Sequence, residues 1–246
     1  MRANLNIIWS NVTTDLNFSG GAHSRALTVL HSPQARQMRL AVDPRDGSIR
    51  LTLPKRAKID HGLRWVETKR GWIEMQLARL PDATPIVNGM IFDVGGESLV
   101  LDWSSEHPRK PARAGGRLQI GGPAERLETR LLRWLKEEAR ALFNVETQEF
   151  AAKIGVFVPP ISIGDPVSRW GSCAASGHIR YSWRLILAPG FVRRATIAHE
   201  VAHRVHMNHS AQFHALVKIV LGDDPAPSRK WLRHNGAALH WFGRSS

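Results

Sequence analysis

The sequence predicts an α+β protein in which a mostly antiparallel β region carrying one helix precedes a mainly helical part. Three observations lead there. Segments of strand periodicity crowd into the first half of the 246 residues. One long segment of helical periodicity follows the break at Gly121-Gly122-Pro123, and three shorter helical segments then complete the chain.

Taken in order, residues 1–24 are small and polar and end in Ser19-Gly20-Gly21, which reads as a loose leader. RALTVL, QMRLAV and SIRLTL between residues 25 and 53 alternate or run apolar, and Asp46-Gly47 supplies a hairpin turn between the last two. Pro54 breaks the last of these strands. Over residues 60–79 the period changes: Leu63, Val66, Trp72, Ile73, Met75 and Leu77 suit a single amphipathic helix that stops before Pro81. IVNGMIFDV and SLVLDW are further strands, HPRKPARAGG is a basic loop, and RLQI closes a β-rich region over 25–122.

The remaining region, 123–246, opens with Leu127, Leu131, Leu132, Leu135, Ala139 and Leu142 at helical spacing, so a long helix is expected over 124–153. A short strand ISIG and the strand-like HIRYSWRLIL come next, with Ala174 to Gly177 as a turn before the latter. A helix from about Phe191 to His206, one capped by Ser210 and one over SRKWLRHNGAALHWF finish the chain. No internal repeat stands out.

The formal charge of +13 and pI near 11.1 admit an anionic partner, a nucleotide or nucleic acid, beside the plain reading of solubility. A single cysteine, Cys173, excludes an internal disulfide framework and fits a reducing compartment. No signal-like apolar run and no membrane-length segment occurs, which makes cytoplasm the expected location. The glycine pairs lack the spacing of phosphate-binding loops, which argues against an ATP-driven activity.

The chemistry concentrates in HEVAHRVHMNH, residues 199–209. His199 and His203 lie about 40° apart on one helix face and about 6 Å apart along the axis, so both imidazoles can reach one ion. Glu200 points beside that ion, where a carboxylate can take a proton from bound water: the HExxH arrangement. A catalytic zinc site needs a third protein ligand. His206 is about 10.5 Å along the axis from His199, too far on a straight helix. His209 follows Asn208, a residue that tolerates the left-handed conformation in which helices end, so a reversal there would return His209 to the pair. The expected ligands are His199, His203 and His209. A histidine-rich solvated helix without metal is the bland alternative.

HEVAHRVHMNHSAQF, preceded by RWGSCAASGHIRYSWRLILAP, resembles the YgjP-like family of zincin metallopeptidases, relatives of the SprT-type proteases. That pattern pairs an RWGSC-type segment and a strand with HExxH, five intervening residues, a third His and a Phe four residues later. Here these are Arg169 to Cys173, His199-Glu200-His203, His209 and Phe213, and the likeness extends over roughly residues 25–240. It implies a zincin-like catalytic part over 123–246, a Zn2+ cofactor, Glu200 as catalytic base and a polypeptide substrate. Manganese, iron or nickel suit the same ligands. Two other functions are compatible with these residues: hydrolysis of a phosphoanhydride, as in a nucleoside triphosphate pyrophosphatase, and proteolysis of DNA-bound proteins. An inert metal-binding module is a third.

Around this motif, Tyr181, His178 and Arg180 are candidates to stabilise a developing oxyanion, although packing roles are the plainer reading of each. Trp170 is expected to wall the cleft, and Cys173 to be structural. By analogy with zincins, HIRYSWRLIL is either an edge strand that pairs with an extended substrate or a buried central strand. Trp65, Trp72, Trp134 and Trp231 are expected in the core.

Overall fold

The computed structural model describes residues 16–20 and 23–244. The expected leader therefore lies mainly outside the described residues, but its end does not: Leu16–Gly20 (β1) pairs antiparallel with His23–Ser32 (β2). The chain divides into two compact units, Met1–Pro81 and Asp82–Ser246, and Gly121-Gly122-Pro123 falls inside the second.

In the first unit, β1 and β2 join Arg39–Val42 (β3) and Ile49–Pro54 (β4) in the order β1-β2-β4-β3. The β2–β4 pair is parallel and the outer pairs are antiparallel. Strict alternation in β4 buries Ile49, Leu51 and Leu53 together with Phe18, Val29, Val66 and Ile73. The Asp46-Gly47 turn forms as expected, with Gly47 at φ 72° and the Asp46 carboxylate accepting from the Ser48 amide at 2.8 Å. The single helix expected over 60–79 is two, Ile59–Thr68 (α1) and Arg70–Leu77 (α2). Lys69 leaves the helical region at φ −101°, ψ 7°, and the Thr68 hydroxyl donates back to the Trp65 carbonyl. That break turns Ile73 inward and leaves Trp72 exposed, contrary to its expected core position.

The second unit opens with Ile91–Val94 (β5), Glu97–Trp103 (β6), Ala112–Ala114 (β7) and Arg117–Ile120 (β8), in the order β5-β6-β8-β7. Antiparallel, parallel, antiparallel pairing recurs. The topology of the first sheet is thus repeated although no repeat is visible in the sequence. Leu127–Lys153 (α3) is the long helix expected, and its buried Leu131, Leu135, Ala139, Phe143 and Phe150 join the core made by β5, β6 and β8.

A three-stranded sheet follows: Ser162–Gly164 (β9), Gly171–Cys173 (β10) and Ile179–Ser182 (β11), ordered β10-β11-β9. HIRYSWRLIL is therefore strand only over its first part. β11 is the central strand, with Ile179 and Tyr181 fully buried, and Trp183–Leu187 continues as a 3-10 turn. Its buried setting decides between the two sequence readings, and the edges of this sheet are β10 and β9. Gly190–Ala202 (α4), Ala211–Leu221 (α5) and Ala226–Trp241 (α6) complete the fold. α4 is fixed to α3 by a buried bidentate pair, Arg193 with Glu146, at 2.9 and 3.0 Å.

Candidate metal centre

α4 carries His199 and Glu200 on its last turn and ends with His203 as the capping residue. The helix is shorter than the sequence implies. Amides of Arg204, Val205 and His206 close the turn onto Val201 and Ala202 carbonyls, and the chain then runs to Ser210, whose hydroxyl caps α5 by accepting from the Phe213 amide. No described non-glycine residue has positive φ, so the reversal does not use a left-handed Asn208. It nevertheless returns His209.

One ring nitrogen from each of His199, His203 and His209 lies within 4.8 Å of the others. The Nε2 atoms of His199 and His209 are 3.2 Å apart. Two nitrogens sharing a tetrahedral zinc at about 2.0–2.1 Å stand about 3.3 Å from each other, so this spacing fits a common ion. His203 Nδ1 donates to the His206 carbonyl at 2.9 Å, which leaves its Nε2 lone pair free and fixes the ring. Of His206, then, the backbone oxygen is used, and its side chain is not in the nitrogen cluster. Fully buried Phe213 floors the three imidazoles: its ring stacks on His203 at 4.4 Å and meets His199 and His209 edge-on at 4.9 Å each.

Electrostatics keep the nitrogens of His199 and His203 available. Burial, then the neighbouring His203, His209 and His214 and the charge of Arg229, lowers His199 to about 4. Burial lowers His203 as well, with His209 adding to it, against the raising effect of the His206 carbonyl bond. Neutral imidazoles are the form that binds metal. The donor set of three imidazoles and no thiolate suits zinc among other divalent ions.

Glu200 is 6% exposed, and burial raises its carboxyl to about 7 while Arg169 pulls it down. A divalent cation alongside would lower it further. The carboxylate lies over the α-carbon of Gly171 in β10. A β-carbon at that position would stand 2.6 Å from Glu200 Oε1 and 2.7 Å from its Cγ. The glycine of RWGSC therefore makes the space in which Glu200 sits.

The other residues singled out by sequence fall elsewhere. Tyr181 is fully buried and its hydroxyl meets Thr147 Oγ1 at 3.2 Å, so it faces the core and offers no oxyanion donor. His178 bonds Ser162 Oγ at 2.9 Å, and the Arg180 guanidinium lies against Gly164. Trp170 packs on α6, its ring against Gly236 and 5.0 Å from His240, instead of walling the site. Cys173 is half-buried with its thiol pushed up, first by burial and then by Glu200, which fits a structural residue. Sequence reading missed Arg229 and gave Gly171 only a backbone bend. It weighed His214 (6.2 Å from His209 ring to ring) with His234 and His240 only as a minor candidate for a second metal or the cleft lining. Each reaches the site through the fold, and only the RWGSC likeness pointed near Gly171.

Fold and site together define an α+β domain with a three-histidine nitrogen cluster suited to a divalent metal and a buried carboxylate one residue along. The family model described as YgjP-like, metallopeptidase domain, matches residues 36–235, and the chain belongs to that family. The domain is accordingly a hydrolase of metallopeptidase type. Comparison with curated proteins and with solved structures gives no match.

Proposed function

We propose that the chain is a zinc-dependent peptidase in which His199, His203 and His209 hold the ion and Glu200 is the general base. The observation that carries this is the convergence of three ring nitrogens within 4.8 Å, with Glu200, the residue after His199, buried and its carboxylate against Gly171. Zinc at such a site supplies a Lewis acid that acidifies water and polarises a carbonyl. Glu200 accepts the proton of the attacking water and returns it to the departing amide nitrogen. β10 presents an edge with one strand neighbour among the described residues, so an extended peptide can pair with its backbone next to Glu200.

One observation favours a second reading. Arg169 and Arg229 act on Glu200 and His199 respectively, and both are exposed, so a phosphoanhydride would also find positive charge here. The test supplies zinc to the full chain and offers an unstructured polypeptide and nucleoside triphosphates in parallel. Polypeptide cleavage supports the peptidase; turnover of the nucleotide alone replaces it. Glu200→Gln should keep metal while losing about 10²–10⁴-fold in turnover. His209→Ala should weaken metal binding about 100-fold or more, read by equilibrium dialysis.

A further inference from the structure

Two concavities, of about 340 and 390 Å³, lie along one face of α3, and Glu137 lines both. Arg109, Lys110, Arg130 and Arg133 line the first and Arg140 the second. Positions 130, 133, 137 and 140 recur at spacings of three and four and so form one stripe, about 15 Å long. Arg109 and Lys110 come from the loop between β6 and β7, which is built against the start of the helix. The Gly121 amide donates to the Pro108 carbonyl at 2.9 Å, a β-carbon at Gly121 would run into the His107 carbonyl, and Arg130 donates to the Pro123 carbonyl at 3.0 Å.

None of these five cations is in an ion pair among the described residues. Other arginines of this unit are: Arg113 bridges Glu97 and Glu138, and Arg193 and Arg194 pair with Glu146 and Glu149. Five like charges line these two concavities, which share Glu137 and together make one groove along α3. With Glu137 the single carboxylate among the lining residues, they repel one another until an anion neutralises them. Four of the five are arginines, whose planar fork matches phosphate oxygens. Trp134 also lines the groove, but it is 7% exposed and the Arg113 guanidinium covers its ring at 5.2 Å, so no base is offered a stacking face.

We propose that this groove binds the phosphodiester backbone of a nucleic acid strand without reading its bases. A phosphodiester strand carries a fixed charge on every residue, which suits a row of cations on a rigid helix better than the scattered carboxylates of an acidic polypeptide. The proposal is independent of the peptidase reading, because the groove shares no residue with the histidine cluster.

The experiment measures binding of the full chain to a 20-nucleotide single-stranded DNA of mixed sequence by fluorescence anisotropy, across a series of salt concentrations. Three lost phosphate contacts in Arg109→Ala/Lys110→Ala/Arg133→Ala should weaken binding about 100-fold near 0.1 M salt and reduce the slope of log K against log salt by about 2. Arg133→Ala/Arg140→Ala changes only exposed helical positions where alanine is a good helix former, and should cost about 25-fold. Lys55→Ala/Arg56→Ala/Lys58→Ala, three exposed cations of the first unit, should change binding less than about threefold. The proposal is overturned by no binding in the parent chain, by equal losses in the groove and control variants, or by polyglutamate of equal charge competing as well as the oligonucleotide.

Discussion

A methyl group at position 171 would meet Glu200 before anything else. Gly171 lies in β10 without positive φ, so alanine suits the backbone, and the nearest atoms are the oxygen and side-chain carbons of one flexible carboxylate. The cheapest relief is to push that carboxylate out of the place it holds against β10. Gly171→Ala is therefore expected to leave metal affinity near that of the parent and to lower kcat about 100-fold, the scale of a 1 Å misplacement at a reacting centre. Parallel metal titration and kinetics check it. Equal loss of metal and turnover would mean that the strand, and not Glu200, had moved. The spacing within 199–209 made the histidines and Glu200 legible in the sequence, because helix geometry alone brings His199 and His203 together. Gly171 was not legible in the same way: it meets Glu200 across 29 residues of chain, and only the assembled sheet and helix bring them into contact.

At the level of helices and strands, periodicity revealed α3 and α6, and the Ser210 cap located the start of α5. It failed where backbone geometry intervened, as at Lys69, where one non-helical residue divides the expected helix. It also could not tell a central strand from an edge strand, since Ile179 and Tyr181 alternating with Arg180 and Ser182 suit either setting. What holds α4 in place was likewise hidden. Arg193 and Glu146, each with a side chain 6% exposed, form a bidentate pair that ties the helix bearing His199 to α3. Removing one partner strands a buried charge. Arg193→Met should cost about 3–5 kcal/mol in denaturant unfolding, and Arg193→Met/Glu146→Leu should recover most of it. A second tie works through pH. Burial alone would raise Asp165, but the hydrogen bond and charge of Arg184 hold it below its ordinary 3.8, while Arg184 also donates to the Leu239 and Phe242 carbonyls at the end of α6. A lowered folded pKa contributes stability that is full above about pH 4 and is lost as pH falls through the folded value. With the Asp165 side chain 41% exposed, the effect is below about 1 kcal/mol. Unfolding midpoints of the parent and Asp165→Asn should differ near pH 6 and draw together as pH falls below about 4.

For the molecule as a whole, the main apolar core of each unit and the candidate metal centre of the second predict how stability responds to a ligand. Phe18, Val29, Ile49, Leu51, Leu53, Val66 and Ile73 form a core within the first unit, whereas Phe92, Leu101, Leu118, Leu131 and Phe143 belong to another within the second. The two four-stranded sheets share one strand order, yet each buries its own side chains. The smaller unit buries a lower fraction of its surface and should melt first. His199, His203 and His209 all lie in the second unit. A metal that binds only the native form of that unit stabilises it by RT ln(1 + [L]/Kd), about 2.7 kcal/mol at a hundredfold excess over Kd. Calorimetry of the full chain should then resolve two transitions, with added zinc raising the later one and leaving the earlier unchanged. A single transition that shifts as a block would show that the two cores unfold together. A shift confined to the earlier transition would place the metal outside the three histidines.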